Sequence, residues 1–392
     1  MSSRIYADHA ATTPVRDEVV AAMLPFFSAG GFNASSLHAE GRAARAALDR
    51  SRDSVARSLG ARSREIVFTG GGSEADNLAL IGAARASTGP RRIVTCAIEH
   101  HAVLSAAEVL RGEGFEIVAL AVDREGRVDV EAFAAAVAPG AAVASIMLAN
   151  NEIGSLQPIA ELAAIARGRG VVFHTDAVQA PGRIQIDVER LGVDLLAISA
   201  HKFYGPKGVG ALYVRTGTPL SPLVVGGGQE AGLRAGTENV AGIVGLARAL
   251  ELAVEEQPDE AERLSRLRDA FEREVLATIP GSEVHGGGAE RLPNVSSLAF
   301  PRVDAPTLLV RLDLEGVAVS AGSACAAGST EPSHVIAALG KAPWAGVGTI
   351  RFSFGKLTSE QDVERLARML PGTVAAVRVG GIELGTEHCD LV

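Results

Sequence analysis

A chain of 392 residues, 47% hydrophobic and 21% charged, has the apolar mass for two domains, or three, and is too apolar to stay disordered. Its 37 basic and 46 acidic residues leave a net charge of −9, which argues against nucleic acid as a partner, because a phosphate backbone calls for a basic face. The apolar, charge-free stretch Ala132–Ala149 is broken by Pro139-Gly140 and falls short of the roughly 20 residues of a membrane helix, so no membrane role is expected.

The N-terminus carries no apolar signal core, and three cysteines (Cys96, Cys325, Cys389) are too few for a disulfide framework. A cytoplasmic location follows as the expectation, and there a lone thiol is free to do chemistry.

Short β-branched runs alternate with Ala/Leu/Arg-rich helical patterns through the first two thirds of the chain. The predicted strands are Ile66–Thr69, Ile93–Ala97, Ile117–Leu120, Val143–Leu148, Val171–Phe173, Leu195–Ser199 and Gly210–Val214. Helical patterns such as Ser73–Ser87, Leu104–Gly112, Val130–Val137 and Ile159–Arg167 lie between them. This alternation predicts an α/β fold with a mainly parallel seven-stranded sheet, and the uniformly apolar strands agree, since parallel strands are covered on both faces. A long helical region, about Val240–Ile279, leads to Val295–Phe300, Ala318–Ser320 and Thr349–Phe354, the strands of a smaller α/β domain. The expected division is 15–257 for the large domain, with 1–14 and 258–392 forming the small one.

Ligands of open α/β sheets lie beyond the carboxyl ends of the strands. Here Gly70-Gly71-Gly72-Ser73 follows the first strand, and Glu99-His100-His101 follows the second. Asn150-Asn151-Glu152, His174-Thr175-Asp176 and His201-Lys202 follow three others. Five strands that deliver polar groups to one edge predict an active site there. The glycine run opens a helix whose N-terminus favours an anion, with Ser73 as helix cap, phosphate ligand or both. Asp176 ends an apolar strand, and a buried carboxylate needs a partner: a helix N–H or the protonated ring nitrogen of a cofactor. Lys202 at a strand end is either solvated or covalently used. Taken together, the amine, the carboxylate, the phosphate cradle and a nearby His point to pyridoxal phosphate.

In family order and spacing over about residues 5–360, the segments DHAATTP, ANNEIG, HTDAVQ, SAHKFYGPKGVGALYVR, RAGTENV and SAGSACAAGSTEPSHV resemble the NifS/IscS-type cysteine desulfurases. These are class V members of the fold-type-I pyridoxal-phosphate enzymes. The resemblance implies that Lys202 holds the cofactor covalently, Asp176 pairs with the ring nitrogen, and His100 stacks on the ring and shuttles protons. It further implies that Asn151 and Gln179 contact the phenolic oxygen, and that Gly72, Ser73, Ser199 and His201 hold the phosphate. Thr237 would reach the phosphate of a neighbouring subunit, which makes the protein a homodimer with shared sites. Arg351 would clamp the carboxylate of the substrate, L-cysteine, assisted by Asn33.

Cys325 lies in a segment of small residues, suited to a thiol that travels. The resemblance makes it the nucleophile that takes sulfur from L-cysteine as a persulfide, with His100 as its base, and hands the sulfur to an acceptor protein. Cys96, inside an apolar strand, reads as a core residue, and Cys389 as a bystander. Departures from the family pattern fall at Phe32 and Ala34 around Asn33, at Gly72, at His101 and after Cys325. They bear on substrate preference and acceptor choice and remove no required group. Three other readings remain on the same fold. A cysteine, cystine or selenocysteine lyase would need no protein thiol and would yield pyruvate and ammonia. A class V aminotransferase would leave Cys325 idle. A persulfide carrier would need none of Lys202, Asp176, His100 and Arg351.

Overall fold

The computed structural model describes residues 4–28, 32–322 and 333–378, so Cys325 and Cys389 lie outside the described residues. In chain order the strands are β1 (Ile5–Tyr6), β2 (Ile66–Thr69), β3 (Arg92–Cys96), β4 (Glu116–Leu120), β5 (Val143–Ser145) and β6 (Val172–Asp176). They continue with β7 (Leu195–Ser199), β8 (Gly210–Val214), β9 (Glu283–His285), β10 (Val295–Ala299), β11 (Val317–Ala318) and β12 (Thr349–Ser353).

Seven strands form one sheet in the order β2-β8-β7-β6-β5-β3-β4. Only β8 runs against its neighbours, β2 and β7; the remaining pairs are parallel. Alternation along β7 explains the layering. Leu196 and Ile198 enter a core with Phe133, Phe173 and Leu246, while Leu195 and Ala197 enter a second core with Leu78, Ile81 and Leu110 on the opposite face.

A separate core lies beyond this sheet. Phe271, Phe300, Phe352 and Phe354 pack with Leu308 and Leu366 over the antiparallel sheet β12-β10-β9. Ile5 and Ala7 belong to it as well, and β1 pairs with β11 in parallel. One helix, Val240–Thr278, joins the cores: Leu246 and Leu250 lie in the first, Leu264 and Phe271 in the last, and Pro258 falls between. Val335, Ile336 and Leu339, counted with the small domain in the sequence, are buried in the core of the large sheet. The helix His334–Ala338 is fastened there by His334 Nε2, 2.9 Å from the Glu99 carbonyl oxygen.

β5 is shorter than its apolar run, which extends to Leu148. The ladder to β6 continues, with Ile146 and Leu148 donating to the carbonyls of His174 and Asp176. The ladder to β3 stops because the Met147 N–H donates to Glu99 Oε1 at 2.7 Å. A side chain there takes the place of a neighbouring strand, and β3 and β5 part.

Phe271 is fully buried, with ring centroids of Phe352 and Phe354 at 4.9 and 5.5 Å. Phe271→Ala is expected to destabilise the chain by about 3–5 kcal/mol in denaturant unfolding, whereas Leu276→Ala, on the exposed side of the same helix, should cost less than about 0.5 kcal/mol.

Candidate active site

From β3 the sheet grows outward to β4 on one side, and from β5 to β6 and β7 on the other. The reversal between β3 and β5 is the topological switch point, where α/β sheets bind ligands. A cavity of about 230 Å³ opens there. Gly72, Ser73, His100, Asn151 and Asp176 line it, as do Gln179, Ser199, His201, Lys202 and Arg351.

At one end the helix Gly72–Ala86 points its N-terminus into the cavity. Its N-cap, Gly71, has φ +154°, a conformation open to glycine and strained for other residues. Gly210 of β8 packs directly on it, since a Cβ at 210 would lie 2.6 Å from the Gly71 carbonyl carbon. A Cβ at Gly72 would lie 2.8 Å from Val178 Cγ2 and 3.2 Å from Ser199 Cβ, so bare backbone forms this wall. No side chain caps the helix, and Ser73 sits exposed within its first turn instead of at the cap. The first-turn N–H groups and the Ser73 and Ser199 hydroxyls together suit a phosphate.

Asp176, buried at the end of β6, forms the floor. Its Oδ1 accepts the Val178 N–H at 2.9 Å in a turn; no helix follows there, so the expected helix cap is a turn contact made alongside its place in the cavity. Burial pushes its carboxyl above the usual aspartate range, against the pull of His100, the Val178 N–H and Lys202. His100 likewise has two duties. Nδ1 accepts the Ala102 N–H at 3.1 Å, capping the helix His101–Gly112, and the ring lines the cavity. Burial holds His100 below the ordinary histidine value despite Asp176. Because Nδ1 is an acceptor, the neutral ring carries its proton on Nε2.

Lys202 Nζ donates to the carbonyls of Ala10 and Ala11 at 2.7 and 2.8 Å. Behind it His201 Nδ1 lies 3.1 Å from Thr12 Oγ1, and burial followed by the Lys202 charge lowers His201 to about 4. Gln179 Nε2 donates to the Ala10 carbonyl at 3.0 Å. Arg351 of β12 enters from the other domain, with Nη1 on the Asn151 carbonyl and Nη2 on Asp8 Oδ1, both at 2.9 Å, while its buried Nε has no partner.

Two predicted residues stand apart in this single chain. Asn33 is exposed and its Oδ1 accepts the Ser35 N–H at 2.8 Å, a local turn away from Arg351. Thr237 is also exposed and does not line the cavity. Cys325 falls outside the described residues, but its flanks are placed: the Arg351 N–H donates to the Ser320 carbonyl at 2.7 Å, and Ser333 Oγ to Glu152 Oε2 at 2.6 Å.

Several site residues escaped the sequence. Asp76, on the inner face of the first-turn helix, lines the cavity and is almost wholly buried. Glu99 is fully buried beneath it, accepting the Met147 N–H and, at 3.0 Å, the Cys96 Sγ–H on one oxygen. Cys96 is thus a core residue. His174 lies under Asp76, with Nδ1 2.8 Å from Ser145 Oγ. Glu99 and His174 stood in the strand-end runs, so the available signal was their position; Asp76 lies four residues into a helix and left none.

The donor set matches pyridoxal phosphate chemically, with an amine for its aldehyde, a buried carboxyl for its ring nitrogen and a helix N-terminus for its phosphate. A mainly parallel seven-stranded sheet with this cavity at its switch point marks the class-V aminotransferases, whose family model matches residues 5–366. The chain is 48% identical over 379 residues to the cysteine desulfurase IscS of Dictyoglomus turgidum, covering 96% of each chain. It is 44% identical to the cysteine desulfurase NifS of Azotobacter vinelandii, covering 95% of this chain and 93% of that one. Among solved structures, a NifS-like protein superposes with a TM-score of 0.89 at 36% identity, over 95% of this chain and all of the other. The chain belongs to the NifS/IscS-type cysteine desulfurases of the class-V aminotransferase family.

Burial pushes the Glu99 carboxyl up to about 8. Unfolded, it would release its proton near pH 4.3, so between about pH 4.3 and 8 the unfolded state binds fewer protons and stability falls as pH rises. A Gln oxygen can keep both hydrogen bonds of Oε1. Glu99→Gln is therefore expected to raise the urea midpoint relative to wild type near pH 8 and to lose that advantage near pH 5.

Proposed function

We propose that this protein is a pyridoxal-phosphate-dependent cysteine desulfurase that converts L-cysteine to L-alanine and passes the sulfur, as a persulfide on Cys325, to an acceptor protein. The observation that carries the reading is the convergence of the Lys202 amine, the buried Asp176 carboxyl and the Arg351 guanidinium on one cavity. Bound there, pyridoxal phosphate supplies an aldehyde that captures amines and a ring that takes up the electron pair of a broken Cα–H bond.

The chain's own groups do the rest. The N-terminus of the helix Gly72–Ala86 would hold the phosphate, with Ser73, Ser199 and His201 beside it; neutral His201 would add no charge. Asn151 and Gln179 address the phenolic oxygen. Arg351 has five N–H donors, of which one is on the Asn151 carbonyl and one on Asp8, so a fork remains for the substrate carboxylate. Lys202, seated on the Ala10 and Ala11 carbonyls, takes the Cα proton. His100 donates a proton through Nε2; acting as the base for Cys325 would require it to surrender its cap on Ala102. The Cys325 thiolate attacks the substrate sulfur. Support for its presence comes from its flanks, because Ser320 pairs with Arg351 and Ser333 is bonded to Glu152, next to Asn151.

A homodimer accords with the exposed apolar side chains of Leu24, Phe27, Leu37 and Val225, and gives exposed Thr237 a phosphate to reach in the partner's cavity. An iron–sulfur scaffold or a tRNA-thiolation enzyme is the acceptor class, and the cytoplasm the compartment, in keeping with three cysteines. Among the described residues, no helix is long and apolar enough to cross a membrane.

Incubation with L-cysteine and a reductant, with alanine, pyruvate and sulfide quantified together, tests the reading. Alanine and sulfide in equal amounts are expected; pyruvate in place of alanine would make the protein a lyase. Lys202→Ala should lower the rate by at least about 100-fold and abolish the lysine-linked chromophore. Cys325→Ser should reduce alanine to background while L-cysteine still perturbs that chromophore.

A further inference from the structure

The floor of the cavity holds more carboxyl groups than the reaction uses. Asp76, His100 and Asp176 each place a polar atom within 4.8 Å of the others. Asp76 and Asp176 are both buried, and two carboxylates that close in a low-dielectric site cannot both stay ionised. The groups facing Asp76 are His174 and Asp176 from β6 and Glu99 and His100 after β3; His201 and Lys202 after β7 line the same cavity. On its own helix, Glu74 is already paired with Arg234 at 2.8 Å.

The two carboxyls are not equivalent. Asp176 accepts the Val178 N–H, and His100 and Lys202 both favour its charged form. Asp76 Oδ1 has no hydrogen-bond partner. Its nearest basic neighbour, His174 Nε2 at 3.6 Å, belongs to a ring that burial keeps neutral down to about pH 3. His174 Nδ1 lies 2.8 Å from Ser145 Oγ, and its buried Nε2, which makes no hydrogen bond, faces Asp76 Oδ1. An ionised Asp76 would thus meet no hydrogen-bond donor at Oδ1 and no charged imidazole beside it, which favours the neutral acid.

We propose that Asp76 is a positioning residue of this site: the neutral carboxylic acid of the Asp76–Asp176 pair, buried beside His174, whose proton leaves the pair's single negative charge on Asp176, the residue assigned to the cofactor's ring nitrogen. The assignment rests on the function proposed above. It acts through Asp176 and touches neither the phosphate end nor the substrate clamp.

Infrared difference spectroscopy of the holoenzyme at neutral pH, wild type minus Asp76→Asn, reads the protonation state directly. The expected signal is the C=O stretch of a protonated carboxylic acid; carboxylate bands alone overturn the proposal. Asparagine imitates a neutral acid, so Asp76→Asn should bind pyridoxal phosphate within about 3-fold of wild type, whereas Asp76→Ala should bind at least about 10-fold more weakly. Equal affinities for the two variants also overturn it. Should Asp76→Asn not fold, Asp76→Ser takes its place in the same spectrum. A carboxylate-only spectrum from a protein that turns cysteine into alanine removes this role and leaves the reaction standing; an acid band in a protein that makes pyruvate does the reverse.

Discussion

A negative charge buried at the end of β6 must be stabilised by its surroundings before it can stabilise anything itself. Asp176 meets this constraint beside two further buried carboxyls, Asp76 and Glu99. Three ionised groups so close in a low-dielectric site would repel one another strongly. The surroundings answer by limiting the charge. Glu99 keeps its proton through burial and spends one oxygen on the Met147 N–H and the Cys96 thiol. His174 and His201 are neutral through burial, and His100 is biased the same way. The Val178 N–H and the Lys202 amine favour the charged form of Asp176, the form that its proposed role toward a ring nitrogen needs.

The same residues shape the backbone. When Glu99 takes the Met147 N–H, β5 leaves β3 and the switch point opens. The residues that follow, Asn150 and Asn151, turn at the mouth instead of continuing the sheet: Asn150 Oδ1 accepts the N–H groups of Glu152 and Ile153 at 2.8 and 3.0 Å. On the opposite wall, Gly210 lets β8 close against Gly71, which seats the helix N-terminus at the sheet edge. Electrostatics and strand geometry are thus coupled through one glutamate side chain.

Strand positions were legible because buried parallel strands write themselves as apolar runs, and β2, β7 and β8 begin and end at the residues the runs mark. β5 was overextended because Ile146, Met147 and Leu148 are as apolar as the strand before them; what stops the ladder is a side chain from another strand's end. Residues at strand ends, such as Asp176 and Lys202, could be read from position alone. Asp76 could not, since only the helix's rotation turns it inward. Asn33 and Thr237 carry motifs but are exposed in this chain and lie outside the cavity lining. Val335 and Ile336 pack away from the small domain because their destination depends on the Glu99 carbonyl and Glu152, bonded by His334 and Ser333 across 235 and 181 residues of sequence.

The N-terminal segment explains how the two domains can share a site. Ile5 and Ala7 are fixed in the small core, and the chain then crosses the cavity. Asp8 pairs with Arg351, Ala10 and Ala11 offer carbonyls to Lys202, Thr12 faces His201, and the Thr13 hydroxyl accepts the Tyr204 N–H at 2.7 Å. The six residues Asp8–Thr13 therefore link β12 to the loop after β7. Asp8 has a second consequence. A fully buried guanidinium without a counter-ion would be strongly destabilising, so Arg351 needs an anion even when no substrate is bound. Asp8, more exposed than its partner, supplies it and holds the side chain in place. In the proposed role, a substrate carboxylate would share Arg351 with Asp8 and so gain less binding energy than a bare guanidinium would give. The arrangement trades tight ground-state binding for a clamp that is already oriented, which suits a catalyst, because binding the substrate more tightly than its transition state would slow turnover.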